Sequence, residues 1–165
     1  MHRLFITALR VAVAAAILVG LFGQLLVIPN TAANTVENFP PYAPYEVPYV
    51  TVAVLGVACV QAALVATWVL LGMVEREAIF TPRAFRWVDV IIGASVVATL
   101  LAFGVMAHLF LASIPSPGDG MDTIGVMMGA TTCVGVGTAF AMLVVVMRGL
   151  LRKSTELQTE MAEVV

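Results

Sequence analysis

The sequence predicts an all-α integral membrane protein: a four-helix bundle followed by a short cytoplasmic C-terminal helix. Its 165 residues are 61% hydrophobic and only 11% charged, with a mean hydropathy of +1.04. Soluble globular chains are about 45–50% apolar and about 25% charged, so a soluble domain is excluded. Four uncharged stretches have about the 20 residues that cross a hydrocarbon core roughly 30 Å thick. In this single membrane domain, 1–165, the spans are 11–28, 48–74, 90–114 and 123–147, and the tail is 148–165.

The distribution of cations predicts the topology of these spans. All eight Lys and Arg residues precede the first span, lie between the second and third, or follow the fourth. Short cytoplasmic loops are enriched in Lys and Arg, and acidic residues contribute little to this bias. An even number of spans therefore predicts that both termini are cytoplasmic. The cations are Arg3, Arg10, Arg76, Arg83, Arg86, Arg148, Arg152 and Lys153.

The first span is expected to end at Ile28, where Pro29 and a polar segment follow. A cleaved signal peptide is the competing interpretation, because Arg3 and Arg10 precede an apolar run. The run 11–28 exceeds the usual apolar region of about 7–15 residues, and no clear small-x-small cleavage site follows it. A retained membrane span is therefore favoured.

The outer connection 29–47 and the residues just after it are rich in proline and tyrosine. The prolines favour extended or turn conformations over regular helix. Tyrosines flanking a span commonly form an interfacial aromatic belt, which is the favoured interpretation. The alternative is a lid that caps a ligand or binds a partner. The residues are Phe39, Pro40, Pro41, Tyr42, Pro44, Tyr45, Pro48 and Tyr49.

The third helix is predicted to begin at Pro82. Thr81 can act as its N-cap, and a proline in the first helical position loses no hydrogen bond. Phe80 and Phe85 then occupy the two positions of a hydrophobic staple. The turn-forming connection 113–120 is short, so the third and fourth helices should form an antiparallel hairpin.

The fourth span carries a small residue at every fourth position, which lets another helix approach closely. Packing within one monomer is the favoured explanation, and a homodimer through this helix is the alternative. The stripe consists of Gly125, Gly129, Cys133, Gly137 and Ala141.

Residues 150–165 are predicted to continue the fourth helix as a short amphipathic segment. Its apolar stripe could dock on the Pro82 region, on the membrane surface or on a cytoplasmic protein. The candidate partner-binding residues on this side are Phe80, Arg83, Arg86, Leu157 and Met161.

His108 is the only titratable side chain well inside a span, apart from two cysteine thiols. Ionisable groups are expensive in lipid and so mark candidate functional sites. Gln24, Thr131 and Thr132 fall at a similar depth and complete a candidate outer polar pocket. Hydrogen bonds that only join helices are the favoured interpretation, and a pocket for ligand binding or transport is the alternative. Gln61 with Thr99 or Ser95 is a second expected polar contact.

Motifs for catalysis are missing from the sequence. It contains no intramembrane carboxylate pair, phosphate loop, His/Cys metal cluster, nucleophile motif or nucleic-acid motif. His2 and His108 fall on opposite faces of the membrane, so they cannot together ligate a haem in one monomer. The chain is therefore predicted to be non-enzymatic, with no cofactor, no metal and no direct contact with nucleic acid.

Two short runs carry a family resemblance. Together with the four spans, Ile79–Trp87 (IFTPRAFRW) and Leu150–Leu157 (LLRKSTEL) resemble DUF2975, a family of small bacterial four-helix membrane proteins without an assigned activity. The resemblance implies a bundle in the inner membrane. Because members are often encoded beside a small helix-turn-helix regulator, it also implies a membrane-anchored regulatory or sensory partner of that regulator. It supplies no catalytic residues.

Overall fold

The computed structural model is helical throughout the residues that it describes. These are 2–75, 82–112, 114 and 121–163 for the backbone, and 4–74, 83–112, 114 and 124–154 for the side chains. A π-helical segment, Gly23–Val27, joins α1 to α2, and a 3₁₀ turn, Pro40–Tyr42, joins α2 to α3. The helices are α1 (His2–Phe22), α2 (Ile28–Asn38), α3 (Ala43–Glu75), α4 (Pro82–Leu111) and α5 (Met121–Glu163).

Four helical stretches are long and apolar enough to cross a membrane. At most 11% of the most apolar window of each stretch is buried, so the large apolar side chains lie mainly on the outside. Soluble monomers rarely expose apolar patches larger than a few hundred Å², which makes this surface suited to lipid. The fold confirms the predicted all-α class with four span-length helices. These are Leu4–Asn38, Pro40–Val74, Arg83–Leu111 and Ile124–Ser154.

The long helices pack side by side in chain order. Helix α1 packs against α3, α3 against α4, and α4 against α5. Among the described residues, no Cα atom of α1 lies within 8 Å of a Cα atom of α4 or α5. The bundle is therefore an open row, with α1 at one edge and α5 at the other.

Helices α4 and α5 form the predicted antiparallel hairpin. Asp89, near the start of α4, binds Arg148 in the second half of α5. Further along α4, Met106 contacts Thr131 of α5. We call the end that holds Asp89 and Arg148 the basic end, and the opposite end, where α4 finishes, the tyrosine end.

The prediction that the first helix stops at Ile28 is wrong. In the π-helical segment the N–H of Ile28 bonds the carbonyl of Gly23, five residues earlier. This register lets the chain pass Pro29, which lacks an N–H and whose ring would clash with the carbonyl four residues before it in a regular α-helix. The helical path therefore continues to Asn38.

The expectation of extended or turn conformations in the proline-rich connection is confirmed only at Phe39 and the 3₁₀ turn, and the rest of 29–47 is helical. Helix α2 is separated from the 3₁₀ turn by Phe39 alone, whose backbone has φ −141° and ψ 86°. Helix α3 then begins at Ala43 and contains Pro48. Pro44 lies in the first turn of α3, where a proline is tolerated because its N–H is not needed. Pro48 has no N–H to donate to the carbonyl of Pro44, one turn earlier.

The remaining boundaries agree with the sequence where they are described. Helix α4 begins at Pro82, as predicted, while the expected cap Thr81 and the staple residue Phe80 lie outside the described residues. Of the connection 113–120, only Ile114 is described. Helix α5 continues past Arg148 to Glu163, which confirms the predicted helical extension. Its 43 residues measure about 64 Å, roughly twice the thickness of a hydrocarbon core.

Candidate functional site

Three aromatic side chains meet at the tyrosine end, where α3 begins and α4 ends. Tyr45 and Tyr49 are one turn apart on α3 and therefore share a face. His108 lies in the last turn of α4. The Tyr49 hydroxyl oxygen is 2.9 Å from Nδ1 of His108, a hydrogen bond that joins the two helices. We call these three residues the tyrosine–histidine cluster.

The ring planes of this cluster are steeply inclined to one another. Their centroids are 6.5 Å apart for the two tyrosines, 6.0 Å for Tyr45 and His108, and 5.8 Å for Tyr49 and His108. The corresponding ring planes are inclined by 86°, 64° and 70°. Such edge-to-face contacts are preferred between aromatic rings over a face-to-face sandwich. The three rings of the cluster therefore pack edge to face against one another.

All three rings line a cavity of about 210 Å³ between α3 and α4. Its other walls come from Pro48, Val52, Gly104 and Val105, which contribute no polar side-chain atom. Nothing lies within 4 Å of the position that a Cβ atom would take at Gly104, so this glycine keeps the cavity open. The cavity is therefore lined almost entirely by apolar surface, with the three rings among its walls.

The hydrogen bond between Tyr49 and His108 has two chemical forms. Either the hydroxyl donates to Nδ1 and Nε2 carries the proton, or Nδ1–H donates to the hydroxyl oxygen and Nε2 keeps a lone pair. In the first form Nε2 can donate to a ligand, and in the second it can accept from one. The tautomer of His108 therefore decides whether Nε2 is a donor or an acceptor.

The four predicted pocket residues have separate partners. Gln24, in the π-helical segment, donates from Nε2 to the carbonyl of Val54 at 3.0 Å, and that segment contacts neither α4 nor α5. His108 bonds Tyr49. Thr131 donates to the carbonyl of Met127 at 2.8 Å, and Thr132 to that of Met128 at 2.9 Å. The described contacts therefore do not join the four into one hydrogen-bonded group.

A second glutamine bridge joins the same pair of helices as Gln24 does. Gln61 of α3 donates from Nε2 to the carbonyl of Ile17 in α1 at 3.5 Å. The two bridges are seven residues apart on each helix and run in opposite directions. Gln61 therefore faces α1, while its expected partners Thr99 and Ser95 bond carbonyls of their own helix.

At the basic end, Asp89 and Arg148 form a bidentate ion pair. Arg148 Nε lies 2.7 Å from Oδ1 of Asp89, and Nη2 lies 3.1 Å from Oδ2. Paired parallel hydrogen bonds of this kind fix geometry as well as charge. The ion pair holds α4 against α5 beside the first turns of α4.

The predicted partner-binding residues lie at this end or outside the described part. Arg83 and Arg86 are exposed on the first turns of α4. Phe80 lies outside the described residues, and so do the side chains of Leu157 and Met161 in α5. Docking of a helix-turn-helix regulator on these residues stays a prediction.

The small-residue stripe of α5 is used only in part. A Cβ atom at Gly137 would collide with Oγ1 of Thr99 on α4, whereas nothing lies within 4 Å of that position at Gly125 or Gly129. The predicted homodimer through this helix therefore stays a prediction. Within the described residues, no three His, Cys, Asp or Glu residues are grouped so that they could hold a metal ion.

The fold and its contacts define the class of protein: a row of four antiparallel helices, each long and apolar enough to cross a membrane. The chain belongs to the family described as protein of unknown function (DUF2975), which matches residues 30–165 and confirms the resemblance. No curated protein and no solved structure matches the chain. The family match includes the whole tyrosine–histidine cluster and excludes α1.

The sequence singled out His108 but not its partners. The sequence places Tyr45 and Tyr49 in an interfacial aromatic belt around the start of the second span. Their four-residue spacing was the available signal, because it places both on one face once the segment is helical.

Proposed function

We propose that the protein is a non-enzymatic sensory protein of the bacterial inner membrane that binds a small lipophilic ligand beside the tyrosine–histidine cluster. The observation that carries this proposal is the cavity of about 210 Å³ that all three rings of the cluster line. A concave, mostly apolar site with a few converging polar groups is where small molecules usually bind.

The local architecture supports a binding role over simple anchoring. An interfacial tyrosine needs only to reach the headgroup region, yet Tyr49 turns to His108 of the neighbouring helix. Gly104 leaves open the space that a larger residue would fill. These features preserve a cavity where close packing would otherwise stabilise the helix pair.

The proposal includes a topology with both termini in the cytoplasm, because every Lys and Arg of the sequence falls on that side of the four spans. The cavity then opens near the outer surface of the membrane.

In a Cys59→Ala/Cys133→Ala background, a membrane-impermeant maleimide should label Glu37→Cys in intact spheroplasts. It should label Lys153→Cys only after permeabilisation. The opposite labelling pattern would show that the orientation is reversed.

Ligand binding can be tested by thermal unfolding of the full chain in lipid nanodiscs, with a panel of small neutral, anionic and cationic amphiphiles. At least one compound should raise the unfolding temperature of the wild type. Gly104→Leu should abolish that shift, because the leucine side chain fills the cavity. Gly56→Leu is the matched control, since Gly56 also has open space around it on α3 but does not line the cavity. Stabilisation by no compound, or an undiminished shift with Gly104→Leu, would refute the binding site.

A further inference from the structure

We infer that the tyrosine–histidine cavity takes an alkylammonium group, an inference that rests on the proposed ligand-binding function and specifies its ligand. The group could belong to an ethanolamine lipid headgroup or to a free lipophilic ammonium compound. The shared chemistry is a positively charged nitrogen with an alkyl chain.

The first argument is the arrangement of aromatic rings. A cation is attracted to the face of an aromatic ring when it lies within about 6 Å of the ring centroid. The three centroids are 5.8–6.5 Å from one another, and all three rings line the same cavity. A cation in that cavity can therefore be near all three rings at once. Tyr45 and Tyr49 carry rings of the kind from which aromatic cages for ammonium groups are built.

The second argument is the charge around the tyrosine end. The sequence has no Lys or Arg between Arg10 and Arg76 or between Arg86 and Arg148. Acidic residues do occur in these intervals, and Glu46 lies in the first turn of α3, adjacent in sequence to Tyr45. Its carboxylate offsets the partial positive charge of the N-terminus of α3, while the C-terminus of α4 beside His108 carries partial negative charge. An anionic ligand would find no cation here to neutralise it.

The apolar part of the ligand has a matching surface. Val52 and Val105 line the same cavity, and both belong to helices whose outer surfaces suit lipid. An alkyl chain attached to the ammonium group can lie against these valines and continue into the bilayer. Burial of the chain adds affinity, while the charged group adds selectivity.

The inference is tested with (6-hydroxyhexyl)trimethylammonium and its neutral isostere, the alcohol in which a carbon atom replaces the charged nitrogen; the shared hydroxyl keeps both in solution. Binding is measured by isothermal titration to the full chain in nanodiscs of phosphatidylglycerol, and the signal from empty nanodiscs is subtracted because anionic lipid attracts the cation by itself. The cation should bind about tenfold more tightly than the isostere, and Tyr45→Leu should remove most of that difference, because the cation–π contact with this ring is lost. Tyr45→Phe, which keeps a ring, should retain it. Tyr42→Leu is the control, because Tyr42 packs on Phe39 and does not line the cavity.

The lipid distinguishes the two sources of the ammonium group. If the headgroup is the natural ligand, nanodiscs that contain phosphatidylethanolamine should weaken binding of the added cation by competition, and Tyr45→Leu should remove this competition. If a free compound is the ligand, the affinity should be the same in both lipids. Equal or tighter binding of the neutral isostere would overturn the inference and leave the ligand-binding function standing. If no compound of any class binds, both fail.

Discussion

Replacing Gly137 with alanine is expected to lower the free energy of unfolding by about 1–3 kcal/mol, the usual cost of an extra methyl group in a tight contact. The new Cβ atom would fall onto Oγ1 of Thr99 on the neighbouring helix α4. Thr99 cannot move aside freely, because it is β-branched and its hydroxyl donates to the carbonyl of Ser95 at 2.8 Å. Unfolding by SDS in mixed micelles, followed by circular dichroism, measures the loss.

Gly135 provides the matched control for this substitution. It lies two residues away on the same helix, and nothing is within 4 Å of the position of its missing Cβ atom. Gly135→Ala should leave stability unchanged or raise it by up to about 1 kcal/mol, because alanine has the higher helix propensity. Adding Thr99→Ala to Gly137→Ala should recover stability by removing the obstructing hydroxyl. If the two glycine variants behave alike, the close approach of α4 and α5 at Gly137 is wrong.

The contrast between these glycines shows how far a small-residue stripe can be interpreted from sequence. The spacing correctly indicated that helix α5 has a face suited to close approach. It could not indicate where along that face the neighbour comes closest, since this depends on the position of Thr99 in another helix. The same applies to Gly20 of α1, whose missing Cβ position lies 2.9 Å from Nε2 of Gln61.

The fold was predictable because its main signals are local. The length of an apolar run decides whether a helix can span a membrane, and Pro82 marks the beginning of α4 within a few residues of sequence. The interpretation of Pro29 and Pro48 failed because a proline forbids one hydrogen bond and does not by itself end a helix. The π-helical segment accommodates Pro29, and helix α3 continues through Pro48 without the hydrogen bond that this residue cannot donate.

The candidate site was only half predictable, for a geometric reason. Depth along the predicted spans singles out His108, which the structure pairs with Tyr49 of α3. Depth alone also matched it with Gln24, although the helices pack in a row that separates α1 from α4. Tyr49 is the partner that the structure provides, and it could be paired with His108 only once α3 was known to begin at Ala43.

The double variant Gln24→Leu/Gln61→Leu is expected to loosen α1 from α3 and to lower the free energy of unfolding by about 1–3 kcal/mol. Hydrogen bonds between membrane helices contribute about 0.6 kcal/mol on average and up to about 1.7 kcal/mol each. The two bridges are seven residues apart on each helix, which is about 10 Å. Sites at that separation usually add independently, so each single variant should account for roughly half of the loss.

Thr138→Val is the control for removing a polar group, because its hydroxyl bonds a carbonyl of its own helix, that of Val134. This variant should change the free energy of unfolding by less than about 0.5 kcal/mol, as expected for an exposed site that does not bridge two helices.

The loss of stability in the glutamine variants should appear mainly in α1, as faster exchange of its amide hydrogens, while exchange in α4 and α5 stays unchanged. If both glutamines can be replaced without loss, these two bridges do not hold α1 to α3. The edge helix, which precedes the family match, would then be held by its other contacts with α3.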